Sequence, residues 1–557
     1  MEETEKIIYK HALQNANAHK GNANPKAVIG SIMSNEPELR KQAKTISQLT
    51  PQIVQKVNNL TPEQQEKEIE TLGINTTKKQ AKKKNKGLTE LPGTHENIKL
   101  RFAPNPSGPL HIGHARAAVL NNEYAKKYNG KLILRIEDTD PKRVYEPAYQ
   151  MIPEDLNWLN IKYEDEIIIQ SDRLEIYYQY AEKAIKKGIA YICTCDSQEF
   201  KTLKDTCQPC PCRNLTIEEN LERWEQFPTM EEGSAVLRIK TDINHKNPAI
   251  RDWAAMRIEN TTHPRTGNKY RLYPMMNFSV VIDDHLLGIT HVLRGKDHLA
   301  NSEKQKYLYN YFDWEIPEFI HYGRLKMEDI ALSTSQAKEG IETQKYTGWD
   351  DPRLGTLRAI AKRGITPQSL QKLMTEIGTK IADSTISWKK IYGLNRQELE
   401  KTSNRYFFVP HPELITIPEI QNTEIIERPL HPDFPERGNR QIPFNGKIYL
   451  DKNDLKQDNI IRLMDAANIK LEKNTITYHS KTFEEARSLK AKIIQWVPAE
   501  ENIKTKIIME DTTIIEGLAE PSIKNIKIGE IIQFERFGFL RLNEKTDNQL
   551  IFYFAHK

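Results

Sequence analysis

The chain has 557 residues, of which 28% are charged and 38% hydrophobic, and a formal net charge of +5. One hydrophobic core seldom serves so many residues, so we expect three or four domains in a globular protein with a mild basic surplus. No signal-peptide-like apolar run opens the chain and no stretch of about 18 apolar residues occurs, which argues against secretion and membrane contact and predicts a cytoplasmic location.

Residues 1–75 are polar, with apolar residues at helical spacing, for example Val28 and Ile32. This periodicity predicts a small helical N-terminal region. The stretch TTKKQAKKKNKG that follows is too rich in lysine to pack in a core, so we predict a Lys-rich linker over residues 76–96. A solvated linker and a contact with RNA are the two interpretations of its charge.

From residue 97 the pattern predicts a β-turn-α-β unit, with strands IKLRFAP and KLILRIED on either side of the helix HARAAVLNNEYAKKY. Ligands of open parallel α/β sheets bind at the carboxyl ends of the strands, and helix N-termini attract anions. His111 and His114 would therefore lie where a phosphate binds, and Gly113 would let a flat ring lie against the backbone. The unit predicts nucleotide activation; two surface histidines or half of a metal site are the alternatives.

The cysteines are clustered in one short stretch, CTCDSQEFKTLKDTCQPCPCR. In a reducing compartment this spacing favours tetrahedral thiolate ligation of zinc over disulfides. Four ligands suffice, so we predict a structural zinc with one cysteine to spare, either Cys207 or Cys210; reduced thiols in a degraded site are the alternative. The candidate ligands are Cys193, Cys195, Cys207, Cys210 and Cys212.

Beyond residue 405 helical periodicity fades, and short β-type runs such as GKIYL, KIIQWV and LIFYF are separated by Gly, Pro, Asn and Asp. This alternation predicts β-barrels. Arginines and aromatic residues such as Arg536, Phe537 and Arg541 are candidates for stacking on unpaired bases or pairing with them, although most aromatic residues here are expected in the barrel cores.

The strings RFAPNPSGPLHIGHARAAVLNNEYA and LRIEDTDP resemble the signature of class I aminoacyl-tRNA synthetases, in particular the glutamyl and glutaminyl subgroup. The resemblance is closest to the archaeal-type glutamyl enzymes and continues through residues 273–298, 348–365 and 386–396. It implies that the chain activates glutamate with ATP and Mg²⁺ and transfers it to the 3′ end of tRNA-Glu. Whether tRNA-Gln is also a substrate stays open.

The resemblance also implies roles for individual residues. Arg101, Glu137, Met276 and Arg294 would bind the amino acid, with Glu137 facing its ammonium group and Arg294 pairing with its side-chain carboxylate. Family members often have tyrosine in place of Met276. Outside this string, Glu137, Asp138 and Asp140 would be expected in a solvated loop or a helix cap. The residues that would bind ATP are Pro104, Ser107, Gly108, His111, Gly113 and His114.

Class I enzymes carry a mobile lysine-serine loop, and LKMEDIALSTSQAKEGI is the corresponding stretch here. Ser333, Thr334 and Ser335 match it and would act together with His111 and His114. The family usually continues with lysine where this chain has Gln336, so Lys338 is the next cation available to the phosphates. An ordinary polar loop is the alternative.

The implied architecture is multidomain and monomeric, and it places a Rossmann-type α/β catalytic domain between a helical N-terminal region and C-terminal barrels. The catalytic domain spans residues 97–320 and holds an inserted, zinc-containing acceptor-binding domain at about 190–272. The signature loop and a helical stem-contact domain follow at 321–404, and anticodon-binding β-barrels at 405–557. A glutaminyl-tRNA synthetase, a non-catalytic tRNA-binding relative and a nucleotidyltransferase with another acceptor are the alternatives.

Overall fold

The computed structural model describes residues 3–19, 21–74, 88–330, 332–455, 460–472 and 475–557. The chain divides into two compact units, Met1–Lys86 and Gly87–Lys557. Most of the lysine-dense stretch of the predicted linker, residues 75–87, lies outside the described residues. Within the described ranges, no helix is both long and apolar enough to cross a membrane.

The described residues of the first unit form four α-helices. Asn24 caps the second helix by accepting two backbone N–H groups, and Thr61 and Gln64 form a capping box on the fourth. Val28 and Ile32 are buried in the core of this unit, as their spacing predicts. The helices are α1 (Glu3–Ala18), α2 (Pro25–Asn35), α3 (Ala43–Asn58) and α4 (Pro62–Thr71).

The second unit begins with alternating parallel strands and helices. Strands β1, β2 and β3 form a parallel sheet, and α5 packs on the core beneath it. Because parallel strands end at the same edge, the segments after β1 and β2 come together there. The elements are β1 (Lys99–Phe102), α5 (Ile112–Lys127), β2 (Lys131–Ile136), α6 (Ala148–Trp158), β3 (Ile168–Ile169) and α7 (Leu174–Lys186).

An antiparallel sheet with two helices interrupts this pattern. Its strands run in the order β4-β5-β6-β7, and the sheet packs on α7 around a core that includes Trp253 and Tyr273. The elements are β4 (Ala190–Cys193), α8 (Ser197–Asp205), α9 (Ile217–Gln226), β5 (Val236–Ile239), β6 (Ala254–Ile258) and β7 (Leu272–Pro274).

The parallel pattern then resumes. Strands β8 and β9 pair in parallel, and the backbone N–H of Thr290 donates to the carbonyl of Lys99 in β1 at 2.9 Å, so the two parallel sheets meet along β1 and β8. The elements up to the C-terminal sheets are α10 (Met276–Leu286), β8 (His291–Gly295), α11 (Leu299–Tyr311), β9 (Glu318–Tyr322), β10 (Leu325–Met327), α12 (Thr334–Glu342), α13 (Leu357–Lys362), α14 (Pro367–Ile377), β11 (Ser384–Ile386) and α15 (Trp388–Thr402).

The C-terminal part is built mainly from sheets, as its short β-type runs predict. The largest has seven strands in the order β12-β25-β26-β27-β23-β24-β13. Its edge strands β12 and β13 are separated in the chain by Phe407 alone, so the two edges of this sheet meet.

A second set of sheets has its own core around Trp496. The elements of the C-terminal part are β12 (Arg405–Tyr406), β13 (Phe408–Pro410), β14 (Pro412–Thr416), β15 (Glu424–Pro429), β16 (Asn439–Phe444), β17 (Lys447–Asp451), β18 (Ile460–Leu463), β19 (Asn468–Glu472), β20 (Thr475–Ser480), α16 (Phe483–Ser488), β21 (Lys492–Ile494), β22 (Val497–Pro498), β23 (Ile503–Ile508), β24 (Ile514–Ala519), β25 (Ile531–Phe534), β26 (Gly538–Lys545) and β27 (Gln549–His556).

Candidate active site

The two histidines of the first motif lie at the N-terminus of α5, where His111 caps the helix. Its Nδ1 accepts the backbone N–H of Gly113 at 3.0 Å, and Nδ1 of His114 accepts the backbone N–H of His111 at 3.3 Å. Since each Nδ1 is an acceptor, each neutral ring carries its proton on Nε2. The rings stack with their centroids 3.8 Å apart, so the segment presents two neighbouring Nε2–H donors.

Burial keeps both imidazoles neutral at physiological pH. It lowers the pKa of His111 to about 4, and burial together with the adjacent His111 ring holds the pKa of His114 well below its ordinary value. The pair can therefore stabilise a developing negative charge by hydrogen bonding, without a proton transfer of its own.

Two glycines in this segment permit close contacts. A Cβ on Gly113 would lie 2.8 Å from Cε1 of His111, so the missing side chain lets the His111 ring lie against the backbone of α5. A Cβ on Gly108 would lie 2.5 Å from Cγ2 of Thr334, at the start of α12. The loop before α12 therefore passes directly over the histidine segment.

A distant segment anchors the histidines through the backbone. The N–H of Ile112 donates to the carbonyl of Gly355 at 3.0 Å, and the N–H of Leu357 donates to the carbonyl of Leu110 at 2.9 Å. These bonds flank His111 on both sides and fix its backbone against the segment that leads into α13.

A buried carboxylate provides a further anchor. Asp155 in α6 accepts the backbone N–H of Leu110 at 2.8 Å, and its other oxygen lies 3.0 Å from Nε of Arg358. Burial raises the pKa of Asp155 to about 6, so above that pH the carboxylate is ionised and paired with Arg358.

The turn after β1 is tied to the segment after β2. The backbone N–H of Glu137 donates to the carbonyl of Pro104 at 3.0 Å, and the N–H of Ser107 donates to the carbonyl of Asn105 at 2.9 Å. The side chain of Asn105 donates in turn to the carbonyl of Glu137 at 2.9 Å. Residues predicted to bind ATP and the amino acid therefore lie on adjacent, mutually bonded loops.

Charged side chains converge at the carboxyl ends of β1 and β2. Arg101 donates to Asp284 Oδ1 at 3.2 Å, while Arg135 donates to the same oxygen at 2.7 Å and to Glu137 Oε1 at 3.0 Å. Burial raises the pKa of Glu137. Burial alone would also raise the pKa of Asp284, but the two arginines hold it below its ordinary value.

Arg294, at the end of β8, faces the same region and is only 8% exposed. Its Nη1 donates to Gln305 Oε1 at 2.9 Å and to Ser302 Oγ at 3.3 Å. Among the described residues, no carboxylate oxygen lies within 4 Å of its guanidinium nitrogens. Burial and the nearby Arg101 lower the pKa of Arg294 to about 10, whereas Asp284 and Glu137 act in the opposite direction. Arg294 therefore remains a cation, and no carboxylate of the described residues forms a direct ion pair with it.

Among the described residues, the charged side chains at these strand ends form a cluster with four guanidinium groups and three carboxylates. The cluster therefore has one surplus positive charge. Besides the residues described above, the cluster includes Asp283, the neighbour of Asp284 in α10, and Arg173, which donates to Asp283 Oδ1 at 2.7 Å. The cluster comprises Arg101, Arg135, Arg173, Arg294, Glu137, Asp283 and Asp284.

Met276 begins α10 and is half-buried. Its thioether cannot supply the hydroxyl that tyrosine would have placed there. The next residue, Asn277, reaches the region of Arg294 indirectly, because its Oδ1 accepts from Nε2 of Gln305 at 3.1 Å.

The predicted signature loop lies partly against the histidines. A narrow cleft is lined by His111, Leu332, Ser333, Thr334 and Trp349, among others. Ser333 caps α12, accepting the backbone N–H at position 336 at 3.4 Å. The structure therefore brings the first two polar residues of the loop next to the histidine motif.

The remaining polar residues of the loop do not line this cleft. Ser335, Gln336 and Lys338 are exposed, and Nζ of Lys338 lies 3.8 Å from Glu342 and 5.6 Å from the centre of the Tyr145 ring. In this arrangement Lys338 is a surface cation beside Glu342.

Four of the five cysteines form two close sulfur pairs. Sγ of Cys193 and Cys210 are 3.9 Å apart, and those of Cys195 and Cys212 are 3.8 Å apart. Cys193, Cys195 and Cys210 lie within 4.8 Å of one another. Zn–S bonds of about 2.3 Å give tetrahedral sulfur–sulfur edges of about 3.8 Å, so these spacings fit a zinc ion. Cys207 takes part in none of these contacts.

Sequence reasoning missed Arg135 and Asp284, which hold Arg101 and Glu137 in place. The sequence pattern around each residue could have indicated a buried charge. Arg135 interrupts the apolar run of β2, and Asp284 follows the apolar residues of α10. Charged residues in buried elements are almost always paired or functional. Their partnership, however, spans 149 positions in the chain.

Asp138 is not the solvated residue that an isolated acidic string would suggest. It is fully buried, and it accepts from Tyr149 Oη at 2.6 Å and from the backbone N–H of Ser171 at 2.8 Å. Asp140 pairs with Arg257 of β6 at 2.8 Å. The loop after β2 is therefore clamped to the antiparallel sheet that interrupts the parallel one.

Parallel strands that end at a neutral histidine pair and a cluster of buried charges, with anchored loops between them, are typical of α/β enzymes that act on nucleotides. The sequence matches tRNA synthetases class I (E and Q), catalytic domain, over residues 97–401. The anti-codon binding domains of the same group match residues 403–493 and 493–543. The chain belongs to the class I tRNA synthetases of the E and Q group.

Full-length relatives support this assignment. The chain is 62% identical to the glutamate–tRNA ligase of Methanobrevibacter smithii, with all of both chains covered. It is 59% identical to that of Methanosphaera stadtmanae, with 99% of each chain covered, and 50% identical to that of Methanocaldococcus jannaschii, with 99% of this chain and all of the relative covered.

Proposed function

We propose that this chain is a glutamate–tRNA ligase, which activates glutamate with ATP and transfers it to the 3′ end of tRNA-Glu. The observation that carries this choice is Arg294, a buried cation whose described protein contacts are all neutral. The single surplus positive charge of the cluster matches the net charge of glutamate, which has two carboxylates and one ammonium group. Glutamine is neutral and would leave this charge buried and unpaired.

The amino acid would bind between Arg294, Arg101 and Glu137. Glu137 is held by Arg135 and faces the substrate ammonium, while Arg294 takes the side-chain carboxylate in a fork of N–H donors. Met276 lines this side of the pocket without a hydroxyl contact.

In the activation step, the α-carboxylate of glutamate attacks the α-phosphorus of ATP in line and pyrophosphate leaves. The Nε2–H groups of His111 and His114 donate to the phosphate oxygens as negative charge develops, and the backbone of residues 104–108 and Gly113 shapes the nucleotide site. Mg²⁺ accompanies ATP and screens its phosphates. The protein supplies no nucleophile, so its contribution is positioning and electrostatic stabilisation.

The loop of Ser333, Thr334 and Ser335 closes on the departing pyrophosphate in this proposal. Gln336 contributes hydrogen bonds where relatives of this type are expected to carry a cation, and Lys338 is the nearest positive charge on α12. A side-chain movement of Lys338 away from Glu342 would bring that charge to the phosphates.

The rest of the chain would bind tRNA. We propose the boundaries expected from the sequence: a helical region at 1–75, a linker at 76–96, the catalytic domain at 97–320 with an acceptor-binding insertion at about 190–272, a stem-contact domain at 321–404 and anticodon-binding barrels at 405–557. The contiguous edges of the seven-stranded sheet support a closed barrel. Zinc held by four cysteines would brace the insertion, and the enzyme would act as a monomer.

Aminoacylation of separate tRNA-Glu and tRNA-Gln transcripts tests the proposal. Glutamate should be attached to tRNA-Glu, and the tRNA-Gln reaction decides whether that tRNA is a further substrate. Attachment of glutamine would instead identify a glutaminyl-tRNA synthetase. Binding of tRNA without any aminoacylation would identify a non-catalytic relative, the alternative that Gln336 raises.

A further inference from the structure

The neutral partners of Arg294 lie on one face of α11. Ser302 and Gln305 are three residues apart in this helix, so their side chains project in the same direction. Both are buried, with 3% and 1% of their surface exposed. Buried guanidinium groups are ordinarily paired with a carboxylate, yet here an amide oxygen and a hydroxyl occupy the positions around Nη1.

Further contacts fix the orientation of both partners. Nε2 of Gln305 donates to Oδ1 of Asn277 at 3.1 Å, so the amide must direct its oxygen, and not its NH₂ group, at Arg294. Ser302 Oγ is also within 2.9 Å of Nε2 of His321. The acceptors are therefore held in place before any substrate binds.

We propose that Gln305 is a specificity-determining positioning residue, whose neutral amide orients Arg294 without neutralising it. Gln305 and Ser302 accept hydrogen bonds from Nη1 of Arg294. The positive charge of the guanidinium group and its other N–H groups remain available to a substrate carboxylate. This inference rests on the proposed function, because it explains how the site keeps a cation for glutamate.

The neutrality of position 305 is the essential property. A carboxylate there would lie at hydrogen-bonding distance from Arg294 and form an internal ion pair. Substrate glutamate would then have to compete with that ion pair, whereas glutamine would no longer face an unpaired cation. If the role of Gln305 were purely structural, Gln305→Met would disturb the site more than Gln305→Glu. A glutamate side chain at position 305 preserves the shape and one acceptor of Gln305 better than a methionine side chain does.

The test compares Gln305→Glu with Gln305→Met in steady-state aminoacylation with glutamate, glutamine and ATP. We expect Gln305→Glu to raise the KM for glutamate roughly 30-fold or more, with a much smaller change in kcat and no change in the KM for ATP. Gln305→Met should raise the KM for glutamate by less than about tenfold. The ratio of kcat/KM for glutamate over glutamine should fall further in Gln305→Glu.

An effect of Gln305→Met equal to or larger than that of Gln305→Glu would overturn the inference, as would an unchanged KM for glutamate in Gln305→Glu. If Gln305→Glu does not fold, Ser302→Asp and Ser302→Asn provide the same charged and neutral comparison, with the same expected order. The unaltered chain separates the two claims. If it attaches no glutamate to tRNA, the proposed function fails, and if it does so while the variants behave alike, only the inference fails.

Discussion

Adding a single methyl group at Gly113 tests the geometry of the histidine pair. The new Cβ would lie 2.8 Å from Cε1 and 2.9 Å from Nδ1 of His111. Ordinary contacts begin near 3.4 Å, so the ring must move by roughly 0.6 Å, and its 3.0 Å bond from the Gly113 N–H is strained. A misplacement of 1 Å can cost about 10²-fold in rate, so we expect Gly113→Ala to lower kcat about 10- to 100-fold.

Aminoacylation of tRNA-Glu at saturating ATP and glutamate measures this effect, with the KM for ATP determined in parallel. Gly393→Ala is the matched control, because an added Cβ on this glycine of α15 meets nothing within 4 Å. It should keep full activity and stabilise its helix by about 1 kcal/mol. A kcat of Gly113→Ala within threefold of the unaltered enzyme would refute the role assigned to the position of His111.

Replacing Arg294 with alanine should lower kcat/KM for glutamate about 10²-fold or more and lower kcat/KM for glutamine much less, because the buried charge-assisted pair with the glutamate side chain is lost. A retained preference for glutamate in steady-state aminoacylation would contradict this. About one zinc per chain should co-purify, and elemental analysis should show its loss in Cys193→Ser with Cys195→Ser but not in Cys207→Ser; metal-free protein prepared without chelator would exclude the site. Activity should fall as the pH drops through about 6, where Asp155 takes up a proton and loses its ion pair, and Asp155→Asn should flatten this acid limb; an unchanged pH profile in that variant would contradict the anchoring role.

The sequence predicted the parts of the site that local patterns encode. The helix N-terminus at His111 and the strand end at Glu137 follow from hydrophobic periodicity and turn residues, because these depend on neighbours a few positions away. The change from helices to short strands after residue 405 could be predicted from the sequence for the same reason. The resemblance to class I synthetases is confirmed by the family match over residues 97–401.

The rest of the site depends on contacts between distant segments. The pairing of Arg101 with Asp284 joins residues 183 positions apart, and periodicity says nothing about such a partnership. The contact between the His111 ring and Gly113 could not be predicted either, because the rotamer that brings His111 against its own helix is set by tertiary packing. Similarly, spacing left Cys207 and Cys210 equivalent, and only the path of the chain after α8 separates them.

The backbone bonds around His111 also constrain the order in which the site can form during synthesis. A nascent chain that has emerged only as far as β9 contains both histidines but lacks Gly355 and Leu357, which hold their segment. The guanidinium of Arg116, in α5, donates to the carbonyls of Gly323 and Gly378 at 2.6 and 2.7 Å, so its acceptors are also incomplete until about residue 380 is available. We therefore expect the histidine motif, although it lies near the start of the catalytic region, to lack these anchoring bonds until about residue 380 has left the ribosome.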